Sequence, residues 1–366
     1  MKPTLTFIFA LLCSIASSQS MWTPKQANDW YAKQPWLVGA NYVPFNAINE
    51  LEMWQADTFD PKQIDKELAW AESIGMNTMR VFLHDLLWVQ DQEGFKKRLG
   101  EFLAICEKHN IRPMLVLFDS VWDPDPKLGK QREPKPGVHN SGWMQSPGAK
   151  ALQDPKEYPR LEAYVKGVVT AFGKDKRVLC WDVWNEPDNF NSNNYAEPKN
   201  KIELIEKLLP MAFGWVRAAK PEQPVTSGVW KINYKEFKAL TPTEKIQLDQ
   251  SDIITFHSYD DSASFRRAIK FLRPYNRPLI CTEWLARGRE STVESILPIG
   301  KKEKVGMINW GFVVGKTQTN LPWDSWDKPY VDGREPAVWH HEIFYQDGRP
   351  YKQQEVDLFK KLTGKK

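Results

Sequence analysis

The stretch VLCWDVWNE at residues 178–186 is an apolar, aromatic-rich run that breaks off at Asn185, Glu186 and Pro187. Its length suits a strand, and its near-continuous apolar character fits a strand of a parallel sheet covered on its outer face. Seven more runs share this character: LVGANY at 37–42, TMRVFL at 78–83, RPMLVLFD at 112–119, PVTSGVW at 224–230, DIITFHSY at 252–259, RPLICTEW at 277–284 and KVGMINWGFVV at 304–314. Eight strands are therefore expected.

Helical stretches separate them. Residues 60–74 place Ile64, Leu68 and Ala71 at helical spacing, residues 94–108 do the same with Phe95, Leu99, Phe102 and Leu103, and residues 202–219 continue the pattern. Alternating strand and helix predicts an α/β protein with a parallel sheet. A nucleotide-binding open sheet would carry a Gly-rich turn after its first strand, where this chain has NYVPFNAINE. The expectation is a single-domain TIM (β/α)8 barrel spanning residues 22–366. Three connections on the carboxyl side are long and rich in Pro, Asn and Trp: 120–150, 189–201 and 316–335. Barrel chemistry collects on such loops. The opposite connections, such as HNIRP and YNRP, are short.

Residues 1–18 read as a signal peptide, with Lys2 ahead of the apolar run from Leu5 to Ile15 and small residues Ala16, Ser17 and Ser18 at a cleavage site. A secreted or periplasmic location follows as an expectation. Cys13 raises a lipoprotein alternative that Leu11 and Leu12 fit poorly. No later run approaches the roughly 18 apolar residues of a membrane span. The formal charge is +4, with both signs interspersed, which offers no nucleic-acid footprint. Cys106, Cys180 and Cys281 each fall in a run or helix read as buried, and an odd number cannot pair completely, so buried thiols are expected. A monomer without cofactor is expected. Metal catalysis would need clustered histidines, and the six here are dispersed apart from His340-His341. Seventeen tryptophans exceed what a core needs, so some should face a ligand.

Strand four ends in Glu186 and strand seven in Glu283, each with tryptophan close by. One glutamate there would be an ordinary surfacing of the strand; two at nearly opposite positions of a barrel mouth suggest a pair. Cleaving a glycosidic bond with retention needs one carboxyl to protonate the leaving oxygen and another, about 5 Å away, to attack the anomeric carbon. At an effective dielectric of about 20, two charges about 5 Å apart repel by roughly 3 kcal/mol, enough to raise one carboxyl by about two pKa units.

WDVWNEPD with Glu186 and ICTEW with Glu283 resemble the acid/base and nucleophile strands of glycoside hydrolase clan A, and residues 37–320 resemble family five, the cellulase-like family. The resemblance implies Glu186 as acid/base and Glu283 as nucleophile, Arg80 as the cation that keeps the nucleophile ionised, and Asn185 as a grip on the sugar 2-hydroxyl. It implies further that Tyr259 hydrogen-bonds Glu283, that His257 binds sugar or orients a carboxyl, and that Trp310 is a sugar platform. Trp122, Trp143, Trp230, Trp284, Trp323 and Trp326 are further platform candidates.

The chain departs from the family where strand three ends in LVLFDSVWD, placing Asp119 where a histidine is common; His84 and Asp85 are candidates for part of that role. The substrate expected is a β-linked, typically β-1,4-linked, oligo- or polysaccharide such as glucan, xylan or mannan. A tryptophan-rich cleft favours endo action, whereas loops walling off one end would mean exo action. A non-catalytic carbohydrate-binding barrel is the alternative from another class, and it leaves the retained glutamate pair without a purpose.

Overall fold

The structure, a computed structural model, describes residues 19–231 and 239–366; the expected export signal at 1–18 lies outside the described residues. Eight parallel strands form one sheet: β1 Val38–Asn41, β2 Thr78–Phe82, β3 Met114–Asp119, β4 Cys180–Asn185, β5 Val225–Thr226, β6 Ile254–His257, β7 Leu279–Glu283 and β8 Gly306–Asn309. Their order is β5-β4-β3-β2-β1-β8-β7-β6, so β1 pairs with β8 and the sheet curls round on itself. The seam between β5 and β6 is closed by a bridge in which the Val229 N–H donates to Thr255 O at 3.1 Å and the His257 N–H to Val229 O at 3.0 Å. This is a TIM barrel, with helices between the strands as the alternating pattern predicts.

Two apolar layers hold it. Most of the core lies between the sheet and the outer helices, among them Pro61–Ser73, Asp85–Lys108 and Lys201–Ala218. A second cluster joins Leu37, Met114, Cys180, Ile253, Ile280 and Ile308. Residues from so many strands can meet only inside the barrel. The helix Pro24–Ala32, fixed by a Thr23/Gln26 capping box, packs Ala27, Trp30 and Tyr31 against that cluster and closes the amino-terminal end of the barrel. The opposite mouth is left open. Cys106, Cys180 and Cys281 are buried free thiols.

Three elements differ from the sequence reading. Strand five, expected at 224–230, pairs regularly only at Val225–Thr226, because the Ser227 N–H donates to Ser251 Oγ and the Gln247 side-chain amide donates to the Gly228 carbonyl. Strand eight, expected to reach residue 314, ends at Asn309; Gly311 at φ +78° turns the chain, and Trp310 stands just past the strand rather than within it. The helix read at 94–108 begins at Asp85 and kinks at Asp91.

The long loops after β3 and β8 are tied together. The Asn140 N–H donates to Thr317 O at 2.7 Å, the Tyr330 N–H to Gly137 O at 2.9 Å and the His139 N–H to Ser325 Oγ at 2.9 Å. The loop after β4 joins them through Lys201, whose buried ammonium donates to Ser120 O at 3.0 Å and Glu197 at 2.9 Å.

Barrel closure depends on close approach at Gly39, where a Cβ would lie 1.9 Å from the Thr78 carbonyl oxygen of the neighbouring strand. Gly39→Ala is expected to destabilise the protein by about 3 kcal/mol, read as a lower urea midpoint at unchanged slope.

Candidate active site

Arg80, in the middle of β2, has no exposed surface, and its guanidinium organises the mouth. Nε and Nη2 donate to Asp182 Oδ2 at 3.0 and 2.8 Å, Nη2 also reaches Asn185 Oδ1 at 2.7 Å, and Nη1 donates to Asn41 Oδ1 at 2.9 Å and Glu283 Oε1 at 2.8 Å. One planar fork thereby sets side chains from β1, β2, β4 and β7 in register. Asp182 and Asn41 were not foreseen. The signal was present, since a charged residue inside so apolar a run as VLCWDVW needs a buried partner of opposite charge.

The two glutamates sit in unequal surroundings. Glu283 accepts from Arg80 on Oε1 and from the Tyr259 hydroxyl on Oε2 at 2.8 Å. Glu186 accepts from Asn189 Nδ2 on Oε2 at 2.7 Å, and its Oε1 lies 2.8 Å from His257 Nδ1. An oxygen of each glutamate and a nitrogen of His257 lie within 4.8 Å of one another. Burial pushes both carboxyls up, to about 7. His257 when protonated, the directly bonded Arg80 and the Tyr259 hydroxyl oppose that rise at Glu283. At Glu186 the Asn189 hydrogen bond opposes it; Arg80 and Lys231 add to that only from a distance, and neither is hydrogen-bonded to its carboxyl among the described residues. The charge therefore settles on Glu283 and the proton on Glu186. Burial lowers His257 to about 4, so its ring is neutral near pH 7. These three donors could in size surround a metal ion, but Arg80 and Tyr259 already occupy both oxygens of Glu283, and a fixed cation 2.8 Å away opposes a second positive charge.

Glu186 adopts φ +41°, in the left-handed region, where the strand gives way to the Glu-Pro turn. That turn also brings Asn189 back: its N–H donates to Glu186 O at 2.8 Å while its side chain holds the carboxyl. Asn189 was missed in the sequence, although a polar residue three places beyond a turn-forming Glu-Pro is a readable cue.

A cleft of about 290 Å³ opens over the pair. Asn185, Tyr259, Trp310 and Trp122 line it, as do Trp230 and Trp323. Trp122 holds φ +67° and stacks on Trp326 at 4.8 Å, a costly backbone state for a bulky residue and one that fixes the ring at the cleft wall. Trp230 is oriented by its indole N–H donating to Asp188 at 2.7 Å.

Other expected contacts are not brought into the cleft. Asp119 is buried behind Asn185, accepting from Asn185 Nδ2 at 2.9 Å and from the Trp143 indole at 2.6 Å, so it positions those side chains instead. His84 has no exposed surface; its Nδ1 accepts the Leu86 N–H and caps the helix at Asp85, directing the ring into the protein. Asp85 is spent on Arg160 at 2.6 Å and Ser146 at 2.8 Å. Trp284 is wholly buried among core residues, and only its carbonyl serves the site, by accepting the Trp310 N–H at 2.9 Å. The sequence reading also passed over His139 and His341, which line the cleft.

A closed parallel barrel thus carries two facing carboxyls at its carboxyl-terminal mouth. Residues 40–327 match the family described as Cellulase (glycosyl hydrolase family 5). The chain belongs to that family and is a glycosidase. No curated protein matches its sequence. Among solved structures it is similar to an exo-β-1,4-mannosidase from Opitutaceae bacterium strain TAV5, with 20% identity, TM-score 0.61, and 90% of this chain and 59% of that chain covered. It is also similar to GH5_18 from Streptomyces cattleya in complex with GlcNAc, with 12% identity, TM-score 0.62, and 95% and 80% covered. A third is the endo-β-1,4-mannanase from Thermotoga petrophila, with 13% identity, TM-score 0.57, and 92% and 77% covered. The chain thus spans 59% of the length of the Opitutaceae protein. At these identities the likeness concerns the fold.

Tyr259→Phe removes a hydrogen bond that lowers the Glu283 carboxyl. Because the charged form of Glu283 loses a donor, its pKa rises, and the acidic limb of the pH–rate profile is expected to move to higher pH with the fold intact by circular dichroism.

Proposed function

We propose that this protein is a retaining β-glycosidase in which Glu283 is the nucleophile and Glu186 the general acid/base. The observation that carries the reading is the pair of carboxyls with oxygens within 4.8 Å, one bonded to a buried arginine and the other not. That separation suits retention, for which the carboxyls stand about 5 Å apart; inversion needs about 6.5 to 9.5 Å to admit a water. In the first step Glu283 attacks the anomeric carbon while Glu186 gives its proton to the departing glycosidic oxygen, leaving a glycosyl ester on Glu283. In the second, Glu186 takes a proton from water, which displaces Glu283 and releases the sugar. Asn185, held by Arg80 and Asp119, faces the cleft with its geometry fixed, as a grip on the 2-hydroxyl requires.

The substrate class we propose is a β-1,4-linked hexose glycan, with mannosides the first to test, since the similar solved structures include an exo-β-1,4-mannosidase and an endo-β-1,4-mannanase. One observation favours chain-end cleavage over internal cleavage. The loops after β3 and β8 are stitched together beside a cleft at the small end of the usual ligand range of about 300 to 1,000 Å³. A continuous groove for a long chain would need them apart.

Glu283→Gln is expected to lower kcat by at least about 10³-fold, and a 2-fluoro-sugar should label Glu283 in the native enzyme; a label on another residue refutes the assignment. Glu186→Ala should spare the first step on aryl glycosides with good leaving groups and be rescued in the second by azide. A uniform loss on all substrates would contradict the acid role. The native pH profile should be bell-shaped, rising as Glu283 ionises and falling as Glu186 loses its proton.

A further inference from the structure

Three of the six histidines, His139, His340 and His341, gather beside the cleft around Trp323. They come from far apart in the chain, His139 from the loop after β3 and the other two from the segment following the loop after β8. The His139 and His341 rings meet at 5.4 Å between centroids, and both line the cleft while remaining almost fully buried. Each commits one nitrogen to the protein. His139 Nδ1 faces Leu321 O at 2.8 Å, and His341 Nδ1 faces Leu285 O. A carbonyl can only accept, so Nδ1 carries the proton in both rings, and in a neutral imidazole Nε2 is then an acceptor. Neither Nε2 has a hydrogen-bond partner among the described residues.

The surroundings keep these rings uncharged. Burial lowers His139 to about 4 and His341 well below its ordinary value. Two neutral acceptors without partners, at the wall of a tryptophan-lined cleft, suit ligand groups that donate, and sugar hydroxyls are such groups. The wall is also built rigidly. Arg287, paired with Glu355 in the helix Gln353–Thr363 at 2.8 and 2.5 Å, donates to the carbonyls of His341 at 2.6 Å and Glu342 at 2.8 Å. His139 is pinned by its backbone to Ser325.

The wall belongs to the nucleophile's half of the cleft. The Tyr259 ring, whose hydroxyl holds Glu283, meets Trp323 at 5.2 Å and His341 at 5.5 Å. Glu186 instead neighbours Asn189 and, through the Asp188 turn, Trp230. The acid must stand beside the leaving group, so the sugar being transferred lies on the side of His139 and His341.

We propose that His139 and His341 are specificity residues whose Nε2 atoms accept hydrogen bonds from hydroxyls of the sugar at the non-reducing end. The assignment rests on the proposed catalytic roles only for its direction along the glycan. Arising from the loop after β3 and from the segment that follows the loop after β8, the pair both reads that sugar and ends the cleft behind it.

Binding, rather than turnover, tests this independently of the catalytic reading. In a Glu283→Gln background, calorimetry would compare β-1,4-mannobiose and cellobiose with analogues lacking single hydroxyls on the non-reducing ring. With both histidines present, removal of at least one hydroxyl is expected to weaken binding roughly fivefold, the worth of one hydrogen bond of about 1 kcal/mol. In His139→Phe or His341→Phe that discrimination should vanish, with the deoxy analogue bound as before. Gln at the same position, which offers an acceptor at a similar reach, should restore it. Deoxy penalties of equal size with and without the imidazoles would overturn the proposal, as would the absence of any penalty. Should His139→Phe fail to fold, His341→Phe carries the same test alone. Fluoro-sugar labelling of proteins that retain Glu283 reports separately on the catalytic roles.

Discussion

The mouth of this barrel depends on one buried guanidinium. Arg80 cannot shed its proton, so within the protein it must be neutralised and its N–H groups occupied, or the fold would carry an uncompensated charge. Asp182 on Oδ2 and Glu283 on Oε1 answer the charge, and Asn41 and Asn185 take remaining donor capacity. Asn41 continues the chain of constraints by donating to the carbonyls of Thr282 at 2.7 Å and Asn309 at 3.1 Å, which ties β1 to β7 and β8. Five strands, β1, β2, β4, β7 and β8, are thereby locked at the level of the two glutamates, above an apolar plug that seals the other end.

This charge balance also explains why two glutamates of the same intrinsic acidity can differ. One cation faces two carboxylates, Asp182 and Glu283, so the centre is already short of positive charge. A third anion at Glu186 would be buried without a cation in hydrogen-bond contact, and a neutral His257 cannot supply one. Retaining the proton on Glu186 is the least costly state, and it arises from placement rather than residue type. The same logic governs the histidine wall, where burial keeps both imidazoles neutral, with neighbouring histidines and Arg287 adding to it at His341, and leaves acceptors rather than cations facing the cleft.

Loops after β3, β4 and β8 are fastened to one another by hydrogen bonds. Their contacts are mostly backbone groups meeting backbone or buried polar side chains, which spares the buried N–H and C=O groups of long connections from going unpaired. The result is a cleft with defined walls, in which Trp122, Trp323 and the two histidines each occupy one fixed place.

The sequence by itself determined the barrel, because near-continuous apolar runs alternating with helical spacing leave few ways to bury both faces of a sheet. It also determined that Glu186 and Glu283 end strands four and seven, and that Arg80 lies inside strand two, since each position follows from counting along a regular element. Tertiary structure alone decided the rest. Whether His84, Trp284 and Asp119 face a ligand or the interior depends on helix starts and loop paths that no periodicity records. Asn189 reaches Glu186 only because a turn brings it back, and His139 meets His341 across some two hundred residues of chain. Local propensity reads along the chain, whereas contacts between distant loops are set by the closure of the barrel beneath them.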